Sequence, residues 1–395
     1  MSTRAIVSIV KVENSIYDGV RKAIDLIGGI PFHIHEGTKV LIKPNLMRAE
    51  TSTVGTTTNI ELIRSVGTIV LEKGAQVIIG EASGNQYDTE DIYSFLHLRE
   101  YLKDFEIRDL DRDPIIPVEI KGARALKKVG IAESVLKADI LISLPVMKTH
   151  NSTLFTGGMK NLMGILPQRE KWNMHLSGIH QALVDLNRFV TSHLIIMDAL
   201  VAMEGWGPAM GYPVNMNLIL AGTDVVAVDT VAAKIMDIDV KEVEHLIKAG
   251  KQDVGIADLT RIEIKGENID NIKRPFRRPK GLKVFEVFGK TQYRIGRFLL
   301  NNFNYDIRPI INKLSLFHLP KPKINYMLCK IIGDCSLVCP QSAIHVSSFP
   351  FINYSKCSRC MACYNACSHH AILISRLPSC ILKVRNLFYS IKRKI

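Results

Sequence analysis

The chain has 395 residues, of which 47% are apolar and 23% are charged, and this composition excludes an intrinsically disordered protein. No run reaches about 18 uninterrupted apolar residues, and the first residues lack a signal-peptide pattern, so we expect a cytoplasmic protein without a membrane span. The formal net charge is +13, but no helix-turn-helix, zinc-finger or RNA-binding signature accompanies it, which disfavours nucleic acid as a partner.

Residues 1–270 alternate short, β-branched apolar runs with amphipathic segments. The runs are RAIVSIVKV, KVLIKPN, QVIIGEA, DILISLP, HLIIMDA and MNLILAG. Uninterrupted apolar runs of this length are typical of strands buried on both faces, and NIELIRSVGTIVLEKG between two of them has helical spacing. We therefore predict an α/β domain over residues 1–270, with a mostly parallel sheet flanked by helices.

Polar side chains follow several of these predicted strands. They are Lys43, Asn45, Glu81, Lys148, His150 and Asp198. Because the carboxyl ends of strands in an open parallel sheet border the ligand crevice, we expect these side chains to converge on one site. For Lys43, which precedes Pro44, the alternative is a solvated strand end.

The segment TGGMKNLMG follows Lys148 and is typical of an anion-binding turn. Gly157 and Gly158 permit close backbone approach, and Lys160 adds a cation. Together with Lys43, these lysines favour a substrate that bears phosphate or carboxylate. The alternative is that the glycine pair only closes a turn. Because histidine titrates near neutrality, three histidines are candidates for proton transfer: His150, His175 and His180.

Four carboxylates farther along the chain could gather a divalent cation. They are Asp198, Glu204, Asp224 and Asp229. We take Asp198 and Glu204 as candidate catalytic residues and Asp224 as a candidate cofactor-binding residue. Asp224 in AGTDVVAVD also fits the start of a helix, where its side chain would cap the first turn.

A basic linker, residues 271–322, follows the α/β domain. KRPFRRPKG marks its start, and residues 273–323 hold thirteen Lys or Arg against two acidic residues. Within it, GLKVFEVFGKTQYRIGRFLL interleaves apolar and basic residues, a pattern suited to an anionic membrane surface or an acidic partner. A helix packed on the neighbouring domain is the alternative. With the basic tail, residues 376–395, the linker makes a membrane-peripheral location the alternative to a freely cytoplasmic one.

A cysteine-rich module, residues 323–375, carries the strongest signal in the sequence. CSRCMACYNAC has the ferredoxin spacing, and thiolates are soft ligands suited to iron–sulfur clusters. In two-cluster ferredoxins the fourth cysteine of each run ligates the other cluster. This rule predicts one complete 4Fe-4S site, with the ligands Cys339, Cys357, Cys360 and Cys363. A structural zinc site fits the triple C-x2-C-x2-C spacing poorly.

The run CKIIGDCSLVCP has the same spacing except at Ile332, where a cysteine is missing. A second site would then hold only three thiolates, from Cys329, Cys335 and Cys367. Such a site could be lost, could hold a 3Fe-4S cluster, or could hold a 4Fe-4S cluster with one iron open to water or an outside ligand. The eighth cysteine, Cys380, is read as a simple thiol.

The motifs VLIKPN, GTTT, ISLPVMKTHNSTLFTGGMKNLMGILP, DALVAMEGWGPAMG and AGTDVVAVDTVAAKIM resemble those of the family called domain of unknown function 362. The resemblance covers residues 4 to 260, and members of that family are often fused to a two-cluster ferredoxin module. Its recurrent positions match Lys43, Asn45, Lys148, His150, Gly158, Lys160, Asn161, Gly164, Asp198, Glu204, Gly205, Gly207, Pro208, Asp224 and Asp229. On this ground we add Asn161 to the candidate cofactor-binding residues. The resemblance implies little about activity, because the family has no generally assigned reaction, and Ile332 departs from its usual cysteine pattern.

Two classes of function follow from these patterns. The first is an oxidoreductase in which the cluster exchanges single electrons with an anionic substrate in the α/β domain and with a donor or acceptor protein. The second is a non-catalytic electron carrier, assembly factor or redox sensor that docks a partner. No dinucleotide fingerprint follows a strand, which disfavours direct use of NAD or FAD. Hydrolysis or ligation is weaker still, because the sequence has no phosphate loop or nucleophile elbow.

Overall fold

The computed structural model describes residues 4–84, 87–279, 321–339, 341–348, 350–357, 359 and 362–374. The chain divides into two compact units, Met1–Tyr293 and Arg294–Ile395, so the boundary falls inside the predicted basic linker. The amphipathic part of that linker, the basic tail and Cys380 lie outside the described residues.

Within the described residues, the first unit is built on a ten-stranded sheet with a separate two-stranded hairpin. Its strands are β1 (Ala5–Lys11), β2 (Lys39–Lys43), β3 (Gln76–Glu81), β4 (Glu106–Asp109), β5 (Ile115–Glu119), β6 (Lys128–Ala132), β7 (Ile140–Ser143), β8 (Val146–His150), β9 (Leu154–Thr156), β10 (Leu194–Trp206), β11 (Met210–Gly222) and β12 (Ile262–Gly266). The large sheet has the order β12-β1-β11-β10-β7-β2-β3-β4, with β8 paired to β10 and β9 paired to β8, while β5 and β6 form the hairpin.

Most neighbours in the large sheet run parallel. The pairs of β7 with β10 and β2, and of β3 with β2 and β4, are parallel, as are β1 with β12 and β8 with β10. The predicted fold class is confirmed. The runs HLIIMDA and MNLILAG predict two short strands. In the structure the corresponding strands, β10 and β11, are longer: each has 13 residues, and the two form an antiparallel hairpin.

The helices of the first unit begin at capping residues in several places. They are α1 (Ile16–Leu26), α2 (Ile60–Leu71), α3 (Thr89–Phe95), α4 (Leu98–Tyr101), α5 (Glu133–Lys137), α6 (Gly158–Asn161), α7 (Gln168–Leu176), α8 (Ile179–Phe189), α9 (Val225–Ile235), α10 (Glu244–Lys251) and α11 (Ile269–Ile272). Ser15 caps α1, Asn59 caps α2 and Asp224 caps α9, each by accepting a backbone N–H of the first turn. Among the described residues, every helix is too short or too polar to span a bilayer.

Two apolar clusters form the core of the first unit. One lies between the strands β10 and β11 and the helix α9, and it includes Met197, Leu220 and Val228. The other joins β2 and β6 to α8 and includes Leu41 and Ile131. All five side chains are fully buried, and burial of each such side chain stabilises the fold by roughly 1.5–3 kcal/mol. The resulting rigid strands fix the positions of the polar groups at their ends.

The second unit repeats a strand–helix–strand order twice in its described residues. Its elements are β13 (Pro322–Ile324), α12 (Asp334–Leu337), β14 (Ile344–His345), β15 (Phe351–Ile352), α13 (Ala362–Ala366) and β16 (Ile372–Ile374). The outer strands β13 and β16 pair with each other, and so do the inner strands β14 and β15, both antiparallel. This folding back of two similar halves brings the two cysteine runs around one apolar centre.

Candidate functional site

A cavity of about 220 Å³ lies in the first unit, where β2 and β3 end and along β8. Its lining is unusually rich in amines and imidazoles. The titratable side chains of the lining are Lys43, Glu81, Lys148, His150, Lys160, Lys171 and His175. Asn45 and Asn161 also line it, so the structure brings together the candidates Lys43, Asn45, Lys148, His150, Lys160 and Asn161.

Lys43 and Glu81 form a buried ion pair in the cavity wall. The Lys43 Nζ atom lies 2.7 Å from Glu81 Oε2 and also donates to the Pro44 carbonyl and to Asn161 Oδ1, at 3.1 Å. A lysine ammonium has three donors, so the Lys43 ammonium is saturated. Burial lowers the pKa of Lys43 and raises the pKa of Glu81, while their attraction opposes both changes. A methyl group at Gly164 would overlap both side chains, which explains the glycine.

Two further lysines are held by oxygen acceptors and keep one donor each for a ligand. The Lys148 Nζ atom donates to Asn45 Oδ1 at 2.9 Å and to the Thr56 carbonyl at 2.5 Å. The Lys171 Nζ atom donates to the carbonyls of Ala82 and Ser83, both at 2.5 Å. Burial lowers the pKa of Lys148 to about 7, with a smaller contribution from Lys160, and burial lowers that of Lys171 to about 8.

Lys160 differs from the other lysines of the cavity. No hydrogen bond or ion pair to its amine exists among the described residues, although the side chain is only partly exposed and lines the cavity. Burial, followed by the positive charge of Lys171, lowers its pKa to about 8. All three donors of the protonated form, or the lone pair of the neutral form, are therefore available to a ligand.

His150 presents one defined nitrogen to its surroundings. Its Nδ1 atom accepts the backbone N–H groups of Ser152 at 3.0 Å and Thr153 at 3.3 Å, so the proton of the neutral ring is on Nε2. Burial, followed by the charge of Lys160, holds the pKa of His150 well below its usual range, and the ring is neutral. His150 is thus a hydrogen-bond donor through Nε2.

The other two candidate histidines are placed differently. His175 lines the cavity but is exposed, at the cavity opening. His180 is not part of the lining; it stacks on His245, with ring centroids 5.8 Å apart, and lies 3.7 Å from Glu244. The structure therefore does not support a role for His180 in proton transfer at this cavity.

The glycine turn does bind an anionic group, but this group is a side-chain carboxylate of the same chain. The carboxylate of Asp229 on α9 accepts the backbone N–H of Gly158 at 2.6 Å and that of Met159 at 2.9 Å. A methyl group at Gly157 would overlap Asp229, which explains why the turn lacks side chains. The predicted ligand role of Gly157 and Gly158 is thus corrected: the turn anchors α6, which carries Lys160 into the cavity.

The predicted gathering of carboxylates around a divalent cation is wrong. Asp198, Glu204 and Asp224 each bind backbone N–H groups of loops or helix ends, and none of the three lines the cavity. The donors belong to Asn59 and Leu200 for Asp198, to Arg277 for Glu204, and to Val226, Ala227 and Ile256 for Asp224. Among the described residues, no three His, Cys, Asp or Glu side chains form a group suited to a single metal ion.

These placements also change the catalytic candidates. Glu204 is buried and ion-paired to the guanidinium of Arg277 at 3.1 Å, and Asp198 caps a loop from inside β10. Both carboxylates accept backbone N–H groups, and neither lines the cavity. Lys171, by contrast, was missed by sequence reasoning, although Lys171 and His175 have the i, i+4 spacing that places both on one face of α7.

The second unit contains the predicted cysteine cluster ligands. Six cysteines pack around a buried apolar centre that includes Ile324, Ile344, Ile352 and Ile372. Backbone N–H groups donate to the Sγ atoms of Cys339 and Cys367 at 3.2 Å and of Cys357 at 3.4 Å, which favours thiolates. Six cysteine thiols around an apolar centre suit the binding of iron–sulfur clusters. The predicted ligand Cys360 lies outside the described residues.

The cysteines predicted for the second site, Cys329, Cys335 and Cys367, also pack on this apolar centre. Cys335 lies close enough to Cys367 and Cys329 that both add to burial in raising the pKa of its thiol. Ile332, at the position of the missing cysteine, is 57% exposed, and its side chain has no atom that can ligate iron. Of the three cysteines predicted to share this site, Cys335 is therefore influenced by both of the others.

Comparison with known proteins agrees with this division into two sites. A model of the family "Domain of unknown function (DUF362)" matches residues 40–234, and a "4Fe-4S binding domain" matches residues 350–373. Similarity extends to the thylakoid-associated protein sll1697 of Synechocystis sp., at 28% identity over 239 residues, which cover 57% of this chain and 71% of that protein.

One solved structure resembles part of the chain weakly. It is the lactate racemase apoprotein from Thermoanaerobacterium thermosaccharolyticum, with a TM-score of 0.39 and 18% identity, covering 56% of this chain and 55% of that one. A likeness of this size carries no argument about function. The two family matches confirm the resemblance that the sequence motifs indicated. The chain is thus an iron–sulfur protein that joins a domain of the family "Domain of unknown function (DUF362)" to a C-terminal 4Fe-4S binding domain.

Proposed function

We propose that this iron–sulfur protein is an oxidoreductase whose α/β domain binds a small anionic substrate, bearing phosphate or carboxylate, in the lysine-lined cavity. A bound 4Fe-4S cluster would supply single-electron transfer between that substrate and a donor or acceptor protein. The observation that carries the proposal is the excess of amines over carboxylates in the cavity. In the described part of the chain, four lysines line it, and Glu81 is the one carboxylate of the lining.

The charge balance of the cavity calls for an anion. Within the described residues, the Lys43–Glu81 pair is the one ion pair formed by the lysines of the lining. The remaining amines, of Lys148, Lys160 and Lys171, are desolvated without a counter-ion, and this lowers their pKa values to about 7 or 8. A bound anion would restore their protons, because an adjacent negative charge stabilises the ammonium form.

The free donors fit a small ligand. Lys148 and Lys171 each keep one N–H, Lys160 keeps its whole amine, and His150 keeps Nε2–H. The volume of about 220 Å³ is below the range of about 300–1,000 Å³ that is usual for drug-sized ligands. A substrate of a few carbon atoms with one anionic group matches both the donors and the space.

The electron partner would dock on the second unit. The run Tyr326–Leu337 in the described part of that unit exposes large apolar side chains, among them Tyr326 at 60%, Met327 at 90% and Leu337 at 83%. Exposed apolar residues next to cluster ligands suit a transient protein contact. The same feature supports the second candidate function, a carrier or redox sensor that docks a partner without catalysis.

We further propose that Cys329, Cys335 and Cys367 hold a second cluster, a 3Fe-4S cluster or a 4Fe-4S cluster with one iron open to an outside ligand. Their grouping around the same apolar centre as the complete set supports this assignment. Iron and sulfide analysis of anaerobically purified protein tests it, since about seven or eight irons per chain indicate two clusters and about four indicate one.

A membrane-peripheral location in the cytoplasm is part of the proposal. The relative from Synechocystis is described as thylakoid-associated, and the net charge of +13 would favour an anionic surface. Co-sedimentation with anionic and neutral vesicles at low and high salt checks this point.

Calorimetric titration of the holoprotein with inorganic phosphate and with oxalate tests the cavity assignment. We expect the wild type and Lys39→Met to bind alike, since Lys39 is exposed at the opposite end of β2. Lys171→Met should bind at least about tenfold more weakly, because it removes a charged donor worth roughly 1.5–3 kcal/mol. Absence of binding by the wild type, or equal affinity in Lys171→Met, contradicts the proposal.

A further inference from the structure

Among the residues that the structure describes, Lys160 is the one amine of the cavity without an oxygen acceptor. Lys43 donates to three oxygen atoms, and Lys148 and Lys171 donate to two each. Carbonyl oxygens accept hydrogen bonds and cannot donate them, so these contacts occupy N–H groups of the three amines and fix the positions of their nitrogen atoms. No described oxygen does this for Lys160.

The surroundings of Lys160 favour a neutral amine. The positive charge of its lining neighbour Lys171 disfavours protonation of Lys160, and His150 is a neutral ring. The lowered pKa of Lys160, about 8, agrees with this arrangement. A lysine that is desolvated and placed beside other cations is activated as a nucleophile, because its lone pair is free near neutral pH.

We propose that Lys160 is a catalytic residue that forms an imine with an aldehyde or keto group of the substrate. The inference rests on the proposed function and narrows its substrate class to a small carbonyl compound that also carries a carboxylate or phosphate. The anionic group binds the remaining N–H donors of Lys148 and Lys171. The carbonyl carbon then lies within the same cavity as the Lys160 amine.

The step balances without another reagent. The Lys160 nitrogen adds to the carbonyl carbon, a C–N bond forms, and a proton passes from nitrogen to the carbonyl oxygen, giving a carbinolamine. Loss of that oxygen as water breaks the C–O bond and leaves the imine. The Nε2–H of His150 is placed to donate a hydrogen bond to the oxygen while it carries negative charge, as a neutral imidazole does at an electrophilic site.

Borohydride trapping in the anaerobic holoprotein tests the imine. The protein is incubated with glyoxylate and sodium cyanoborohydride at pH 7.5, and the labelled lysine is located by peptide mass mapping. We expect one adduct per chain, at Lys160, formed on the order of tenfold or more faster than at any exposed lysine, because a larger fraction of its amine is neutral. Oxalate, which is anionic but has no aldehyde or ketone, should compete with this labelling.

Two variants make the result specific. Lys160→Met should lose the fast adduct, and Lys39→Met should keep it. Labelling spread over surface lysines without preference for Lys160, or fast labelling that persists in Lys160→Met, would overturn the inference. If the wild type binds oxalate but gives no Lys160 adduct, the imine is wrong and the anion site stands. If the wild type neither binds oxalate nor forms the adduct, the proposed function fails as well.

Discussion

The lysine-lined cavity and the cysteine unit differ in the charge of their side chains and in how far apart their residues lie along the chain. The cavity draws its groups from Lys43 to Lys171, on separate strands and helices, and collects positive charge. The described cysteines predicted as ligands lie between Cys329 and Cys367 and would supply negative thiolates to a cluster. The cavity would be neutralised by a bound anion and the thiolates by bound iron, so the two sites are suited to ligands of opposite charge.

The comparison predicts that loss of a thiolate has the largest effect. Cys363→Ala removes a buried ligand of the complete cluster, and we expect loss of that cluster together with its electron paramagnetic resonance signal after reduction. Cys329→Ala is the matched control, because it removes a ligand of the three-cysteine site alone. An iron content of Cys363→Ala equal to that of the wild type, with the signal of the complete cluster retained, would show that the ligand assignment is wrong.

The next largest effect is expected in the cavity wall. Glu81→Gln leaves the Lys43 ammonium buried without its counter-ion, and we expect the free energy of unfolding to fall by about 3–5 kcal/mol. Urea unfolding followed by circular dichroism measures it. Glu119→Gln, which breaks the exposed pair of Glu119 with Lys128, should change stability far less, because water screens that pair. Equal losses in the two variants would refute a structural role for the buried pair.

The pH dependence of anion binding gives a smaller effect with a defined sign. In the empty cavity the pKa values of Lys148, Lys160 and Lys171 are lowered to about 7, 8 and 8. The ammonium forms that hold an anion are therefore present below pH 7 and lost as the pH rises through 8. Sulfate affinity, measured by calorimetry from pH 6 to pH 9, should weaken above pH 8, and an affinity that rises with pH would contradict the assignment.

The smallest expected change concerns the incomplete corner of the second site. Ile332→Cys should supply the missing thiolate, so a three-iron site would gain about one iron per chain and lose its oxidised-state paramagnetic signal. The exposed variant Leu337→Cys controls for a thiol that is merely added nearby. No change in iron content or spectrum in Ile332→Cys would mean that Cys329, Cys335 and Cys367 hold no cluster with an open corner.

The sequence predicts a site best when the residues of that site are close to one another along the chain or follow predicted strands. The cysteine ligands follow from a short spacing, and Lys43 and His150 follow from strand ends, because parallel strands finish at a common edge. The partner of Gly158 could not be predicted, since Asp229 is 71 residues away and only the packed α9 brings its carboxylate to the turn. Asp224 was ambiguous because one residue type serves both metals and helix caps.

Proton uptake on anion binding tests the central claim most directly. Sulfate does not titrate near neutrality, so protons taken up at pH 8 must come to the protein. Calorimetry of sulfate binding to the holoprotein in two buffers of different ionisation enthalpy should give uptake of about one proton per anion, because the anion restores the ammonium forms of desolvated lysines. Binding without uptake, release of protons, or no binding at all would contradict a lysine-lined anion site.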